Sequence, residues 1–91
     1  MTSTLDRRTI GEPARVQAVQ PPADMPDWAR RLEEIGFIPG ERVVVTARGM
    51  PGGDPLVVRV GQSTFALRRA EAACVHVAAL DAPAATARES R

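Results

Sequence analysis

The sequence lacks several residue types on which common functional sites depend. Its 91 residues include no tyrosine and no lysine, one tryptophan, two phenylalanines, one histidine (His76) and one cysteine (Cys74). A single cysteine excludes a disulfide within the chain. A Ser–His–Asp or Cys–His arrangement would have to use His76 as its base, and no third group stands beside it in the sequence. We therefore expect a protein that is not an enzyme.

Net charge and long apolar runs are also scarce. The chain carries 12 basic and 11 acidic groups, a net charge of +1, which gives no electrostatic argument for binding nucleic acid. Its longest uncharged, mostly apolar run, AACVHVAAL, is about nine residues, whereas a membrane-spanning helix needs about 20. The N-terminus has no apolar core of a secretory signal. We expect a cytoplasmic protein without membrane insertion.

Hydrophobic periodicity predicts a mainly β protein with one short helix. Trp28, Leu32 and Ile35 recur at helical spacing, and Asp24 is the expected N-cap. β-Branched or alternating segments predict strands at residues 14–19, 41–48, 56–60, 63–68 and 74–77. The helix thus falls between the first and second strands. About five short strands without a disulfide favour a small closed barrel of SH3-like shape, because closure removes sheet edges.

The stretch RRLEEIGFIPGERVVV places the helix directly against a strand. Gly36 follows the apolar stripe, where a left-handed residue ends a helix. Phe37 and Ile38 are expected to bury the corner, and Pro39-Gly40 suits the central positions of a type II turn. The stretch is therefore interpreted as a folding device.

The rest of the chain divides around this domain. We predict a flexible segment at 1–12, a barrel domain at 13–80 and a disordered tail at 81–91, because the tail has little to bury. The loop GMPGGDP connects two strands, and its Met50 is an apolar residue that would support self-association.

Two groups of side chains are candidates for chemistry. If Val75 and Val77 face the core, Cys74 and His76 face outward together and, with Glu71, offer weak ligands for Fe(II) or Zn(II). The alternative is a surface histidine beside a half-buried thiol, with no cofactor required. Arg68 and Arg69 lie at a strand end beside Glu71; an exposed arginine can act on a nucleotide-hydrolysing partner or discourage strand pairing as a solvated edge charge.

Three segments together resemble the FeoA family, the small cytosolic accessory proteins of bacterial ferrous iron transport. They are RLEEIGFIPG, GDPL (residues 53–56) and ALRRAEA (residues 66–72), in the family's order, and the resemblance covers about residues 10–78. The residues that carry this structural signature are Leu32, Ile35, Gly36, Pro39, Gly40, Pro55 and Leu67. The Cys74–His76 pair is a departure from the family pattern.

The resemblance implies an SH3-like barrel with a helix after its first strand. It also implies a partner, the FeoB-type iron permease with its cytosolic GTP-binding domain, and a role as a non-enzymatic interaction module for it. A metal-binding or metal-sensing module, and a stimulator of GTP hydrolysis, are the alternatives. The candidate partner-binding residues are Arg30, Arg31, Glu34, Met50, Arg68 and Arg69.

Overall fold

A single antiparallel sheet dominates the computed structural model, which describes residues 2–50 and 52–80. Its six strands within these ranges are β1 (Thr2–Thr4), β2 (Ala14–Val19), β3 (Arg42–Arg48), β4 (Leu56–Val60), β5 (Ser63–Leu67) and β6 (Val75–Ala79). Helix α1 (Asp27–Glu34) joins β2 to β3, and the four-residue helix α2 (Arg69–Ala72) joins β5 to β6. The strand order is β1-β6-β2-β3-β4-β5.

The N-terminal segment belongs to this sheet, so the predicted flexible segment 1–12 is wrong for residues 2–7. Strand β1 pairs with β6, from Thr2 opposite Ala78 to Thr4 opposite His76. A 3-10 turn, Leu5–Arg7, follows it, and Leu5 is completely buried. The sheet therefore has one strand more than predicted, and α1 lies between the second and third strands. The predicted tail 81–91 lies outside the described residues.

The strands are arranged as in an SH3-like barrel, but among the described residues the two terminal strands of the sheet are not hydrogen-bonded to each other. Within the described residues β1 and β5 stand at opposite ends of the order. Register shifts between Val16 and Ala18 in β2, and between Val45 and Ala47 in β3, mark bulges, which bend and twist a sheet. Helix α2 contacts both the end of β5 and the 3-10 turn that follows β1, so it connects these two parts of the fold. The barrel was expected to leave no unpaired strand edge. Among the described residues, β1 and β5 each keep one unpaired edge, so hydrogen-bonded closure is incomplete.

Alternation along the strands builds the core as predicted. Leu56, Val58 and Val60 of β4 are buried, and so are Val75 and Val77 of β6, because alternate side chains of a strand share one face. The other fully or almost fully buried apolar residues include Leu5, Ala14, Val16, Leu32, Phe37, Val43, Val45, Leu67 and Ala72. The residues that the structure describes thus contain one contiguous hydrophobic core.

Helix α1 packs on this core with the predicted stripe. Leu32 is buried, and Trp28 and Ile35 are partly buried against the same cluster. The helix begins later than expected, however, with Pro26 as its N-cap residue and no side-chain cap. Asp24 is therefore not the N-cap. A backbone hydrogen bond from Met25 N–H to the Pro22 carbonyl forms a turn ahead of the helix, which displaces its start.

The corner after α1 has the predicted geometry. Gly36 has φ +122°, and the N–H of Phe37 donates to the Leu32 carbonyl at 3.0 Å, which closes the helix end. Gly40 has φ +97°, and the N–H of Glu41 donates to the Ile38 carbonyl at 3.0 Å, consistent with the type II turn. Phe37 is completely buried, whereas Ile38 stays half exposed, so only Phe37 fills the corner.

Within the part of the chain that the structure describes, no helix is both long enough and apolar enough to cross a bilayer.

Candidate functional site: a groove between α1 and β5

A groove of about 760 Å³ lies between the start of α1 and the end of β5. Its walls come from α1, from the loop before β4 and from the β5–α2 junction. We call it the Trp28 groove. Its lining residues are Met25, Trp28, Arg31, Asp54, Pro55, Ala66, Arg68 and Glu71. The groove brings together residues from all three sequence segments, RLEEIGFIPG, GDPL and ALRRAEA, that carry the family resemblance.

The apolar wall is set by the helical repeat. Trp28 and Arg31 are three residues apart, so their side chains lie on the same side of α1, one turn from each other. Leu32, the next residue, is buried and anchors the helix in the core. Met25, just ahead of the helix, remains substantially exposed beside Trp28. This wall offers an open apolar surface to a ligand.

A buried carboxylate closes the opposite side of the groove. Glu71 in α2 is the buried acidic residue of this region, and its Oε1 accepts a hydrogen bond from the Arg68 backbone N–H at 2.9 Å. Its Oε2 is in contact with the guanidinium of Arg31, an ion pair that joins α2 to α1. The carboxylate thus satisfies an amide at the helix start, where an intrahelical partner is missing, and holds the two walls together.

The loop between β3 and β4 supplies the third wall. The Gly49 N–H donates to the Pro55 carbonyl at 2.7 Å, and the Gly53 N–H donates to the Gly49 carbonyl at 2.9 Å. These bonds fold the loop so that Asp54 Oδ1 accepts the backbone N–H of Arg69 at 3.0 Å. Asp54 and Glu71 therefore both accept hydrogen bonds from backbone amides at the start of α2.

The groove holds two arginines and two carboxylates, so its formal charges balance, but the four groups are not all paired with one another. Arg31 is paired with Glu71, and Asp54 is hydrogen-bonded to a backbone amide. Within residues 2–50 and 52–80, no carboxylate lies within 4.0 Å of the Arg68 guanidinium. Arg68 is therefore the cation of the groove that has no carboxylate partner among these residues, and Asp54 is an exposed carboxylate beside it in the lining.

The predicted partner-binding residues separate into two groups. Arg31 and Arg68 line the groove, and Arg69 contributes a backbone N–H to it. Arg30, Glu34 and Met50 are exposed but do not line it. The sequence interpretation missed Met25, Trp28, Asp54, Pro55 and Ala66 as groove residues. A tryptophan at the start of an exposed helix was a usable signal, whereas the approach of Asp54 to α2 required the fold.

The predicted outward orientation of Cys74 is wrong. Cys74 precedes β6 and is buried; its Sγ donates to the Ala70 carbonyl at 3.4 Å, a contact that continues α2. Strand alternation therefore does not apply to it. Burial, followed by the charges of Glu71 and Asp6, raises the pKa of the Cys74 thiol above its ordinary value, which disfavours the thiolate that metals require.

The proposed metal ligands do not assemble as expected. Val75 and Val77 are buried, as predicted, and half-buried His76 alternates with them in β6. Glu71 is already engaged with Arg31 and an amide. In the part of the chain that the structure describes, no three His, Cys, Asp or Glu residues are grouped so as to hold a metal ion.

Fold and groove together define a small SH3-like β protein with an open groove of mixed apolar and charged lining. The FeoA domain family matches residues 3–79, and the chain belongs to this family, which is linked to ferrous iron transport. FeoA from Stenotrophomonas maltophilia, an SH3 domain protein solved with zinc, is 44% identical over 81% of this chain and 87% of that one, with a TM-score of 0.74.

Two further solved structures extend the comparison. FeoA from Chlorobium tepidum is 30% identical over 85% of this chain and 70% of its own, with a TM-score of 0.70. A manganese-dependent transcriptional repressor has a TM-score of 0.72 at 24% identity, over 87% of this chain and 42% of that chain, and shows the fold alone. No curated protein sequence matches the chain.

Proposed function

We propose that this chain is a non-enzymatic accessory protein of bacterial ferrous iron uptake. In this proposal it is a cytoplasmic module that binds the cytosolic GTP-binding domain of a FeoB-type permease through the Trp28 groove. The observation that carries it is the convergence of the three family segments on one open groove. The S. maltophilia relative, described as a candidate ferrous iron transport activating factor, supports the transport context.

The chemistry of the groove favours binding over catalysis. Its carboxylates, Asp54 and Glu71, accept hydrogen bonds from backbone amides and hold α2 in place. His76 lies outside the groove, in a strand paired on both sides. The remaining groups are four apolar side chains and two arginines, Arg31 and Arg68, which is the composition of a recognition surface.

Titration against the permease's GTP-binding domain tests this proposal. Calorimetry with no nucleotide, with GDP and with a non-hydrolysable GTP analogue measures affinity in each state. Met25→Gln changes the groove, and Ile38→Gln is the matched control, since the two side chains are 41% and 48% exposed but only Met25 lines the groove. Loss of an apolar interface contact of about 1–2 kcal/mol predicts a 5–30-fold weaker complex for Met25→Gln.

The control sets the limits of this test. Ile38→Gln should bind within about twofold of the native chain. No binding in any nucleotide state would refute the partnership, and equal binding by the two variants would place the contact outside the groove.

Stimulation of GTP hydrolysis is a second candidate function, favoured by the exposed Arg68 without a carboxylate partner among the described residues. An arginine supplied in trans accelerates hydrolysis by stabilising charge in the transition state. Steady-state hydrolysis by the permease domain should then rise on addition of the chain and fall back with Arg68→Ala. Unchanged hydrolysis with the native chain would exclude this role.

Weak Fe(II) or Zn(II) binding stays a prediction that needs its own measurement. The zinc in the S. maltophilia protein belongs to that protein, and the burial of Cys74 here argues against a site built on it. Equilibrium dialysis with either metal tests the point. Metal retained by the native chain and lost in a Cys74→Ala/His76→Ala double variant would restore the site; equal retention would remove it.

A further inference from the structure

Strand β5 has a free hydrogen-bonding edge. It pairs with β4 on one side and stands last in the strand order. The two strands are joined by the two-residue turn Gly61-Gln62, with Val60 opposite Ser63. In such a hairpin the closing pair is hydrogen-bonded and the pairs alternate from there. Thr64 and Ala66 therefore direct their backbone N–H and C=O groups away from β4.

These outward groups have no backbone partner within the residues that the structure describes. The hydrogen bonds formed outside the regular strands and helices include none from Thr64 or Ala66, and both residues are exposed. An unpaired, accessible edge is a template for another extended segment, and proteins use such edges to bind peptides by strand addition.

The Trp28 groove lies along this edge. Ala66 and Arg68 form its β5 side, and Met25 and Trp28 form the facing side on α1. A strand added at the usual spacing of about 4.8 Å from β5 would project alternate side chains into the groove. The backbone of such a segment would pair with β5, and its side chains would contact Trp28.

The charges along the edge indicate what kind of segment fits. Arg59, opposite Thr64 in β4, is exposed, and so is Arg68 at the end of β5. Among the described residues neither guanidinium has a carboxylate within 4.0 Å. A second copy of the chain paired edge to edge would bring these arginines toward those of its partner, which is unfavourable for like charges. An acidic partner segment is complementary.

We propose that β5 binds an extended segment of a partner protein as an additional strand. The segment places an apolar side chain against Trp28 and a carboxylate against Arg68. This inference deepens the function proposed above and rests on it, since the partner is the permease's cytosolic domain. In this arrangement the β5 backbone binds the backbone of the segment, and the Trp28 groove determines which side chains of the segment fit.

Amide hydrogen exchange of the full ¹⁵N-labelled chain tests the inference. In the free chain the Thr64 and Ala66 amides should exchange rapidly. In complex with the permease's GTP-binding domain their exchange should slow at least tenfold. Phe65 is the internal control, because its amide already pairs with β4 opposite Val58 and should change much less.

A pair of arginine variants tests the charge requirement. Arg68→Glu should weaken the complex at least tenfold, and Arg42→Glu, an equally large charge change at an exposed β3 position outside the groove, should leave it within about twofold. Circular dichroism confirms that both variants fold. Equal weakening by the two would refute a specific contact with Arg68.

The outcomes separate this inference from the function on which it rests. A complex without protection of Thr64 and Ala66 overturns strand addition and leaves the partnership intact. No complex at all overturns both. Slow exchange of these amides in the free chain at every concentration would assign the edge to another part of the same chain, and protection that grows with concentration would assign it to a second copy; either result overturns the proposal.

Discussion

Removing the Arg31 guanidinium should destabilise the protein through Glu71. The Glu71 side chain is 10% exposed and that of Arg31 is 60% exposed. Arg31→Ala therefore leaves a nearly buried carboxylate with the Arg68 amide as its partner among the described residues. Breaking a fully buried pair costs about 3–5 kcal/mol, and an exposed pair contributes about 0.2–1 kcal/mol.

The geometry of this pair lies between those limits, so we expect a loss of about 1–2 kcal/mol. For a domain of this size that loss lowers Tm by roughly 5–15 °C. Urea denaturation and calorimetry measure it, with Arg30→Ala as the control, since Arg30 is exposed on the same helix and has no ion pair within the described ranges. The control should change stability by less than about 0.5 kcal/mol.

A double-mutant cycle with Glu71→Gln then isolates the pair. Glutamine keeps the shape of the side chain and can accept the Arg68 N–H, but it has no charge to attract Arg31. We expect a coupling energy of about 1 kcal/mol between the two positions. Additive effects, or an Arg31→Ala variant as stable as Arg30→Ala, would show that the pair is a screened surface contact and would refute this account of the groove.

Three further predictions concern the loop, the thiol and the N-terminus. Gly49→Ala should destabilise more than Gly52→Ala in urea denaturation, because a Cβ at Gly49 would lie 2.6 Å from the Asp54 carbonyl oxygen, whereas one at Gly52 meets no atom within 4 Å and costs only positive-φ strain; the reverse order would contradict the loop geometry. Burial, and then the charges of Glu71 and Asp6, raise the pKa of the Cys74 thiol above its ordinary value. The stability that this thiol contributes is complete below the unfolded-state pKa and is lost as pH rises through the higher folded-state pKa. Above about pH 8.5, the urea midpoint should therefore fall more in the native chain than in Cys74→Ala, and parallel profiles would refute this. Leu5→Ala should lower the free energy of unfolding by about 2–5 kcal/mol. Ile10→Ala, at a side chain 49% exposed, should lower it by less than about 0.5 kcal/mol. Equal urea midpoints for the two variants would show that Leu5 is not buried.

The elements predicted correctly from the sequence are those with local signals. Alternation identified β4 and β6, and helical spacing identified α1, because each pattern is complete within a few residues. The corner at Gly36 and Gly40 was predicted for the same reason, since positive φ has a residue-specific signature. Strand β1 was missed because its residues, TST, show no alternation of apolar and polar side chains. Its pairing with β6 is a long-range contact that no local pattern reveals.

The groove was only partly predictable. Arg31 and Arg68 were identified as exposed charges, but their unlike roles, one paired and one free of carboxylates among the described residues, depend on where α2 lies. Glu71 was assigned to a metal from its position near Cys74 and His76. The fold instead turns its carboxylate toward α1 and the Arg68 amide. In a four-residue helix the direction of a side chain depends on which elements pack around the helix. Those long-range contacts cannot be predicted from a local sequence pattern.

The helix–strand corner also determines how the groove is held open. At Gly36, where α1 ends, an added Cβ would meet both Val60 methyl groups at 3.5 Å, so the end of the helix lies directly over the last residue of β4. Val60 is also the residue from which the Gly61-Gln62 turn leads into β5. The distance between Trp28 on α1 and Ala66 on β5 is therefore fixed through this contact at one end and through the Arg31–Glu71 pair at the other. A side chain at position 36 would therefore be disfavoured mainly by the positive φ of +122°, since its Cβ would meet Val60 at an ordinary contact distance.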